Sequence, residues 1–262
     1  MNYENALNFL LYSYFGILPQ SIYNEMPKNE NQKEEYRDYC IKMIIIKAYD
    51  DATGEGAYNT LFNKAISSEE LKLLKDFSND AKKKSAKYLF AEIKNFVSPR
   101  NYDEWHKDIC DNLVQYYADV SNDNLCFFTH GNAQKWVNMT MKYLWLLGLL
   151  PKGLKEEYLH IPIDSYIIDE LWCNNNIVFP PKVDSPGKRN RDYVQPSNYV
   201  KPWSKWNYKN DYKNYRKSLN KKSYDLSWEN AAWIKRSEIR KNKEKTKKYN
   251  EFFDNQLSSA GI

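Results

Sequence analysis

Apolar residues recur at intervals of three and four along most of this chain, and no segment alternates strongly enough between apolar and polar residues to predict a sheet. The first run carries Leu7, Leu10, Leu11 and Tyr14, and Gly16 follows it. This spacing places the apolar side chains on one face of a helix. The chain is therefore predicted to be all-α. We expect further helices at about 33–49, 80–97, 102–119, 133–147, 164–174, 208–221 and 227–250.

The length and composition are typical of a globular protein with a sizeable core. The chain has 262 residues, of which 42% are hydrophobic and 28% are charged. No uncharged apolar stretch is long enough for a transmembrane helix, and the first residues lack the basic start of a secretory signal. We therefore expect a cytoplasmic protein with no membrane partner, and no obligate protein partner is evident.

The cysteines and histidines do not indicate a metal centre. The four cysteines are scattered without a C-x-x-C pair, and the three histidines form no H-x-x-x-H pattern. Reduced thiols in a core explain such cysteines better than a disulfide framework or a zinc site does. We therefore expect that the protein uses no cofactor.

Positive charge is concentrated near the C-terminus. Residues 182–248 contain 20 Lys and Arg against 7 Asp and Glu, a net charge of +13, whereas the rest of the chain has 19 against 27, a net charge of −8. This asymmetry favours a surface that meets a polyanion, although lysine-rich helices with a solvated face give the same count. We call residues 182–250 the basic aromatic region, because tryptophans and lysines alternate in it.

Two segments each carry a charged residue beside apolar surface at the start of a predicted helix. Lys135 lies in F-F-T-H-G-N-A-Q-K-W-V, where a polar turn leads into the apolar helix 133–147. Asn138 and Lys142 follow at spacings of three and four, which predicts one polar stripe. Asp164 ends the extended stretch I-P-I-D and is well placed as the N-cap of the next helix. Folding can therefore bring an amine and a carboxylate together across a cleft.

This pair of segments resembles the helix-hairpin-helix DNA glycosylases, which excise damaged or modified bases. In that family a hairpin glycine stands four residues before the lysine of the bifunctional members, as Gly131 does before Lys135. An apolar-Pro-apolar-Asp stretch follows, as it does at residues 161–164. The Gln-Lys-aromatic start looks most like the archaeal 8-oxoguanine branch. The resemblance covers about residues 125–172, and Ala133 stands where the usual hairpin has a second glycine.

The resemblance implies a two-lobed, helix-hairpin-helix glycosylase-like helical fold over residues 1–262 and a double-stranded DNA partner that contains a modified base. It also implies that Lys135 attacks the sugar to form a Schiff base, while Asp164 stays ionised beside it. The implied activity is excision of an 8-oxoguanine-like oxidised purine or another modified base, with AP lyase activity. Base-excision repair and defence against phage with modified bases both fit it. No cysteine follows Cys173, so the iron–sulfur cluster of some relatives is not expected.

A lysine attacks only as a neutral amine, and its ordinary pKa is about 10.4. We expect burial against apolar neighbours to lower the pKa of Lys135, and the positive end of its helix to act in the same direction. Each residue also has a simpler explanation, because a lysine near a helix start is often solvated and Asp164 is a good N-cap without catalysis.

The remaining predicted site residues depend on the same resemblance. Backbone N–H groups of Gly131 and Asn132 are expected to meet a DNA phosphate, although the two also suit an ordinary turn. Gln134 is expected to contact either the flipped base or the backbone. The predicted base pocket has four members, and for its tryptophans core packing is an equally good interpretation. These four are Trp136, Asn138, Trp203 and Trp206.

Two other functions remain open at this point. A non-catalytic DNA-binding protein would keep the hairpin architecture, and its activity would survive Lys135→Gln. A helical interaction protein would use its basic C-terminal region to bind RNA or an acidic partner. It would show no preference for a damaged base and no cleft that joins Lys135 to Asp164.

Overall fold

The computed structural model of the chain describes residues 3–17, 29–53, 67–98, 101–120, 128–175, 201–219 and 224–259. Regular structure in these ranges is helical without strands, which confirms the predicted all-α class. The α-helices in them are α1 (Tyr3–Phe15), α2 (Glu30–Thr53), α3 (Ser68–Lys94), α4 (Tyr102–Val120), α5 (His130–Leu146), α6 (Ser165–Asn175), α7 (Lys213–Ser218) and α8 (Leu226–Ser259).

The ends of several helices differ from the predicted ends. α3 begins at Ser68, where the capping-box spacing of Ser67 and Glu70 predicts a helix start, and it continues without a break through most of the predicted helix at 80–97, to Lys94. α5 begins at His130 rather than at 133. The predicted helix at 208–221 is a π-helical turn, Tyr208–Tyr212, followed by the short α7. Five prolines and many polar residues predict an irregular loop at about 176–205, of which residues 176–200 lie outside the described part of the chain. Within the described ranges, each helix is too short or too polar to cross a lipid bilayer.

α5 lies at the centre of the fold, and 13 of its 17 residues are buried. Its Trp136 donates a hydrogen bond from Nε1 to the carbonyl oxygen of Ile45 in α2, at 2.8 Å. On another side of α5, Asn138 Oδ1 accepts a hydrogen bond from His106 Nε2 of α4, at 2.8 Å. A helix that is covered on most sides belongs to the interior of a protein, as its apolar sequence predicts.

α8 packs along α6 through ion pairs. Arg236 Nε lies 2.5 Å from a carboxylate oxygen of Glu170, and Arg240 Nη2 lies 2.5 Å from one of Asp169. Asp169 is fully buried, so this ion pair lies in the interior of the protein. These pairs fix the first half of α8 against α6, which brings Trp233 next to the N-terminus of α6.

α1 packs on α5 through aromatic side chains. The rings of Phe15 and Tyr143 meet edge to face with centroids 4.9 Å apart, a favoured arrangement for aromatic pairs. α3 packs against α2 and α4 on the outside of the core. α1, α5, α6 and α8 thus surround a common space, which contains the candidate site.

Candidate active site

Lys135 and Asp164 lie side by side in the wall of a cleft. Lys135 Nζ is 3.6 Å from Asp164 Oδ2, and each side chain is only 12% exposed. Lys135 is on α5, and Asp164 immediately precedes α6. The structure thus brings together the two residues that the sequence singles out, although they are 29 positions apart in the chain.

Three donors hold the carboxylate of Asp164 in place. Its Oδ1 accepts backbone hydrogen bonds from Tyr166, at 2.9 Å, and Ile167, at 3.1 Å, which confirms the predicted N-cap of α6. Its Oδ2 accepts a hydrogen bond from Trp233 Nε1 of α8, at 3.2 Å. The oxygen that faces Lys135 is therefore positioned by both α6 and α8.

Lys135 does not have the purely apolar surroundings that the sequence predicts. Its Nζ lies 4.7 Å from the centroid of the Trp203 ring, a cation–π contact, in addition to its contact with Asp164. Because α5 begins at His130, Lys135 belongs to the second turn, where the helix dipole acts less strongly. Both partners suit an ammonium ion. A nucleophilic role therefore requires that a proton leave Nζ, and Asp164 Oδ2 is adjacent to receive it.

The segment 201–207 fits closely against the first turn of α5. Gly131 N donates to the carbonyl oxygen of Trp206 at 3.0 Å, and the Thr129 hydroxyl donates to that of Ser204 at 2.6 Å. A Cβ atom on Gly131 would lie 1.8 Å from the carbonyl oxygen of Trp203. Glycine is therefore required here because two stretches of backbone approach each other, and this contact keeps Trp203 above Lys135.

The residues predicted to contact DNA lie inside the fold. The Gly131 N–H already has a partner in segment 201–207, and Asn132 closes a capping box with Thr129 at the start of α5. Gln134 is fully buried and donates to the carbonyl oxygens of Gly131, at 2.9 Å, and Ile163, at 3.4 Å. A DNA phosphate would have to displace segment 201–207 to reach these groups. The geometry therefore does not support their assignment as phosphate ligands.

Three of the four residues predicted for the base pocket are also in the core. Trp136, Asn138 and Trp206 are each fully buried. Asn138 turns toward α4 and does not continue the polar stripe, whereas Lys142 lines the cleft with Lys135. Lys142 shares a face of α5 with Lys135 because it follows seven positions later, which is nearly two full turns of the helix. Only Trp203 of the predicted four reaches the amine.

The cleft has a volume of about 780 Å³ and is lined by α1, the end of α2, α5, α6 and the first turns of α8. Much of its wall is apolar, with Leu11, Phe15 and Met139 among the contributors. Its size falls in the usual range for sites that bind small molecules and cofactors. The pair formed by Lys135 and Asp164 therefore faces enough space for a substrate of that size.

A second ion pair lies in the same cleft and was not anticipated from the sequence. Lys142 Nζ is 2.5 Å from Glu229 Oε2, with side chains that are 10% and 2% exposed. Burial raises the pKa of the Glu229 carboxyl above its ordinary value, and Lys142 offsets this only in part. An acid in the first turn of a helix is common, so the sequence gives no sign that Glu229 is buried beside a lysine.

A third carboxylate in the cleft is surrounded by phenols. Asp51 Oδ2 accepts hydrogen bonds from Tyr14, at 2.8 Å, and Tyr143, at 2.6 Å, and Lys47 Nζ lies 3.4 Å from Oδ1. Burial and the neighbouring carboxylate raise the pKa of the Tyr143 phenol well above its ordinary value, so it remains a hydrogen-bond donor. The helix predicted at about 33–49 ends before Asp51, whereas α2 continues to Thr53, so sequence reasoning did not place Asp51 in the site.

The three histidines, distant in sequence, are buried near one another outside this cleft. The rings of His106 and His160 have centroids 4.3 Å apart, and His130 and His106 each lie against the ring of Tyr212. Burial lowers the pKa of His130 to about 4 and that of His106 well below its ordinary value. In the described part of the chain, no group of His, Cys, Asp and Glu could hold a metal ion.

Comparison with known proteins finds no family model, no curated protein and no solved structure that matches this chain.

Proposed function

We propose that this protein is a DNA glycosylase with AP lyase activity that removes a modified base by way of Lys135. The observation that carries the proposal is the 3.6 Å approach of Lys135 Nζ to Asp164 Oδ2 in the wall of the 780 Å³ cleft. A nucleotide flipped out of a duplex needs a pocket of this kind, in which a reactive group faces the sugar.

The chemistry needs one nucleophile and one carboxylate. After Nζ gives up a proton to Asp164, its lone pair attacks C1′ of the deoxyribose, and the C1′–N bond breaks as the base leaves with the bonding electrons. The base takes up the proton that Asp164 received, which returns Asp164 to its carboxylate form. Ring opening leaves an imine between Nζ and C1′. Loss of a proton from C2′ then expels the 3′ phosphate and cleaves the strand. Once the base has taken the proton, Asp164 is again a carboxylate, and it stabilises the positive charge that the imine carries when it is protonated.

The other groups of the cleft suit a flat, polar ligand. The rings of Tyr166 and Trp233 lie 5.1 Å apart beside Asp164, and Trp233 is 39% exposed, so aromatic surface is accessible to a base. Glu229 and Asp51 add carboxylate oxygens, which accept hydrogen bonds from N–H donors. An oxidised purine presents an additional N–H at N7. An 8-oxoguanine-like base is therefore our leading substrate.

A non-catalytic DNA- or RNA-binding protein is the second candidate. The observation in its favour is that Lys135 already contacts Trp203 and Asp164, which are also the partners of a lysine with a purely structural role. In that case the cleft binds a nucleotide without attacking it.

Borohydride trapping separates the two candidates. The protein is incubated with duplexes that each carry one modified base, covering oxidised purines, oxidised pyrimidines and bulkier modifications, and borohydride reduces any imine to a stable covalent link. We expect a protein–DNA band that Lys135→Gln abolishes. The matched control is Lys82→Gln, which removes a lysine that is ion-paired outside the cleft, with its Nζ 2.8 Å from Asp50 Oδ1, and should keep the band. Absence of a band with every duplex, or a band that persists in Lys135→Gln, contradicts the proposal.

A further inference from the structure

Four lysines at intervals of four residues follow the segment that covers Lys135, and we call them the lysine row. All four side chains are exposed. The last three lie on the continuous helical stretch from Tyr208 to Ser218, where residues four apart share a face. The members of the row are Lys205, Lys209, Lys213 and Lys217.

Within the described residues, no member of the row forms an ion pair. Asp211, the one acid in residues 201–219, is buried and accepts hydrogen bonds from Lys201 Nζ, at 2.6 Å, and from the backbone of Asn207, at 2.9 Å. Asp103 of α4 approaches this stretch at Arg216, with a separation of 3.8 Å, rather than at the row.

The cations of α8 present a clear contrast. Lys235 and Arg236 both contact Glu170, and Arg240 contacts Asp169. Much of the positive charge on the first half of α8 is therefore used within the protein, while that of the lysine row remains available for an external anion.

We propose that the lysine row binds the phosphates of duplex DNA and holds the strand beside the cleft. The inference rests on the proposed function, which requires a duplex, and it supplies the phosphate contacts that the engaged N–H groups of Gly131 and Asn132 do not. Residues four apart on a helix are separated by about 6 Å along its axis. A DNA strand offers a phosphate about every 3.4 Å of its axis, so neighbouring lysines meet separate phosphates.

Trp203 connects the row to the cleft through its contact with Lys135. Lys205 follows Trp203 by two residues, and the Trp203 ring lies 4.7 Å from Lys135 Nζ. A strand held on the row therefore passes close to the amine, and a nucleotide flipped from that strand has a short path to it.

The test measures binding to an undamaged duplex of about 20 base pairs by fluorescence anisotropy at several salt concentrations. Each phosphate contact contributes about 0.9 to the slope of log affinity against log salt. The quadruple variant, in which every row lysine becomes glutamine, should therefore have a slope that is shallower by three to four. Between about 50 and 200 mM salt, the unmodified protein should lose about a hundredfold more affinity than the variant does.

The matched control replaces four exposed lysines of α3 with glutamine: Lys75, Lys83, Lys84 and Lys87. It makes the same change in net charge, so a general electrostatic effect would alter the salt slopes of the two variants equally. Equal changes in the two slopes would overturn the proposal. An unchanged slope in the row variant overturns it too. Circular dichroism melting checks that both variants fold.

The outcome is separable from that of the proposed function, because Lys135→Gln should abolish trapping without changing the salt slope. A shallower slope for the row variant without trapping at any base supports the lysine row and contradicts the glycosylase. Trapping on a modified base together with an unaltered salt slope for the row variant supports the glycosylase and contradicts the lysine row.

Discussion

The buried pair formed by Lys142 and Glu229 should destabilise the fold relative to apolar replacements. The two side chains are 10% and 2% exposed. Burial raises the pKa of the Glu229 carboxyl even though Lys142 Nζ is 2.5 Å away. The cost of removing the Glu229 carboxylate from water therefore exceeds its attraction to the Lys142 ammonium group. We expect Lys142→Met alone to lower the free energy of unfolding by about 3–5 kcal/mol, because it leaves Glu229 unpaired. Lys142→Met with Glu229→Met should be neutral or stabilising by about 1–4 kcal/mol.

Urea denaturation at neutral pH, followed by circular dichroism, measures the change in the free energy of unfolding for both variants. If this free energy depends equally steeply on urea in the variants and in the unmodified protein, each exposes the same amount of surface on unfolding. The control is Lys94→Met, since Lys94 pairs with Asp38 on the surface with side chains that are 42% and 22% exposed. Its effect on the free energy of unfolding should be small, because water screens an ion pair on the surface. If the double variant is as unstable as Lys142→Met, the pair contributes net stability and the reasoning from desolvation is refuted.

Three further predictions concern the start of α5, the histidines and Asp164. Gly131→Ala should cost at least about 1–3 kcal/mol in urea denaturation, because its Cβ would lie 1.8 Å from the Trp203 carbonyl oxygen; unchanged stability would contradict the close approach. The His130 pKa is about 4 in the folded protein against an ordinary 6.5, so the unfolded chain binds more protons between these values, and stability should fall by up to about 3 kcal/mol as pH drops from 6.5 to 4. His130→Gln should flatten that part of the pH profile, and an equally steep profile would assign the loss to other groups. Asp164→Asn should keep the N-cap but weaken trapping, whereas Asp164→Ala should be less stable than Asp164→Asn by about 1 kcal/mol; full trapping by Asp164→Asn would exclude a need for the carboxylate.

Local sequence rules predicted the helices and the N-cap position of Asp164, whereas the pairing of Lys135 with Asp164 was expected from the family resemblance. The spacing of apolar residues indicated an all-α chain, and the position of Asp164 after I-P-I predicted an N-cap that its hydrogen bonds confirm. Both inferences depend only on residues within a few positions of one another, where backbone geometry is the controlling factor.

The inaccurate inferences concern contacts between distant segments. Gly131 and Asn132 were expected to form a turn whose N–H groups bind DNA. Segment 201–207, some 70 residues later, instead covers the N–H group of Gly131. The burial of Gln134 and Asn138 likewise depends on α4 and on the stretch before α6. Glu229 and Asp51 reach the cleft only because α8 and α2 pack where they do. No local sequence pattern predicts these contacts between distant segments.

The close fit of segment 201–207 on α5 has a consequence for how the molecule forms. The hydrogen bond between Thr129 and Ser204 joins residues 75 positions apart, so the first turn of the central helix gains it only after most of the chain has been synthesised. Closing so long a loop is slow compared with winding a helix. The amine of Lys135 therefore acquires its cover, the ring of Trp203, only late in folding.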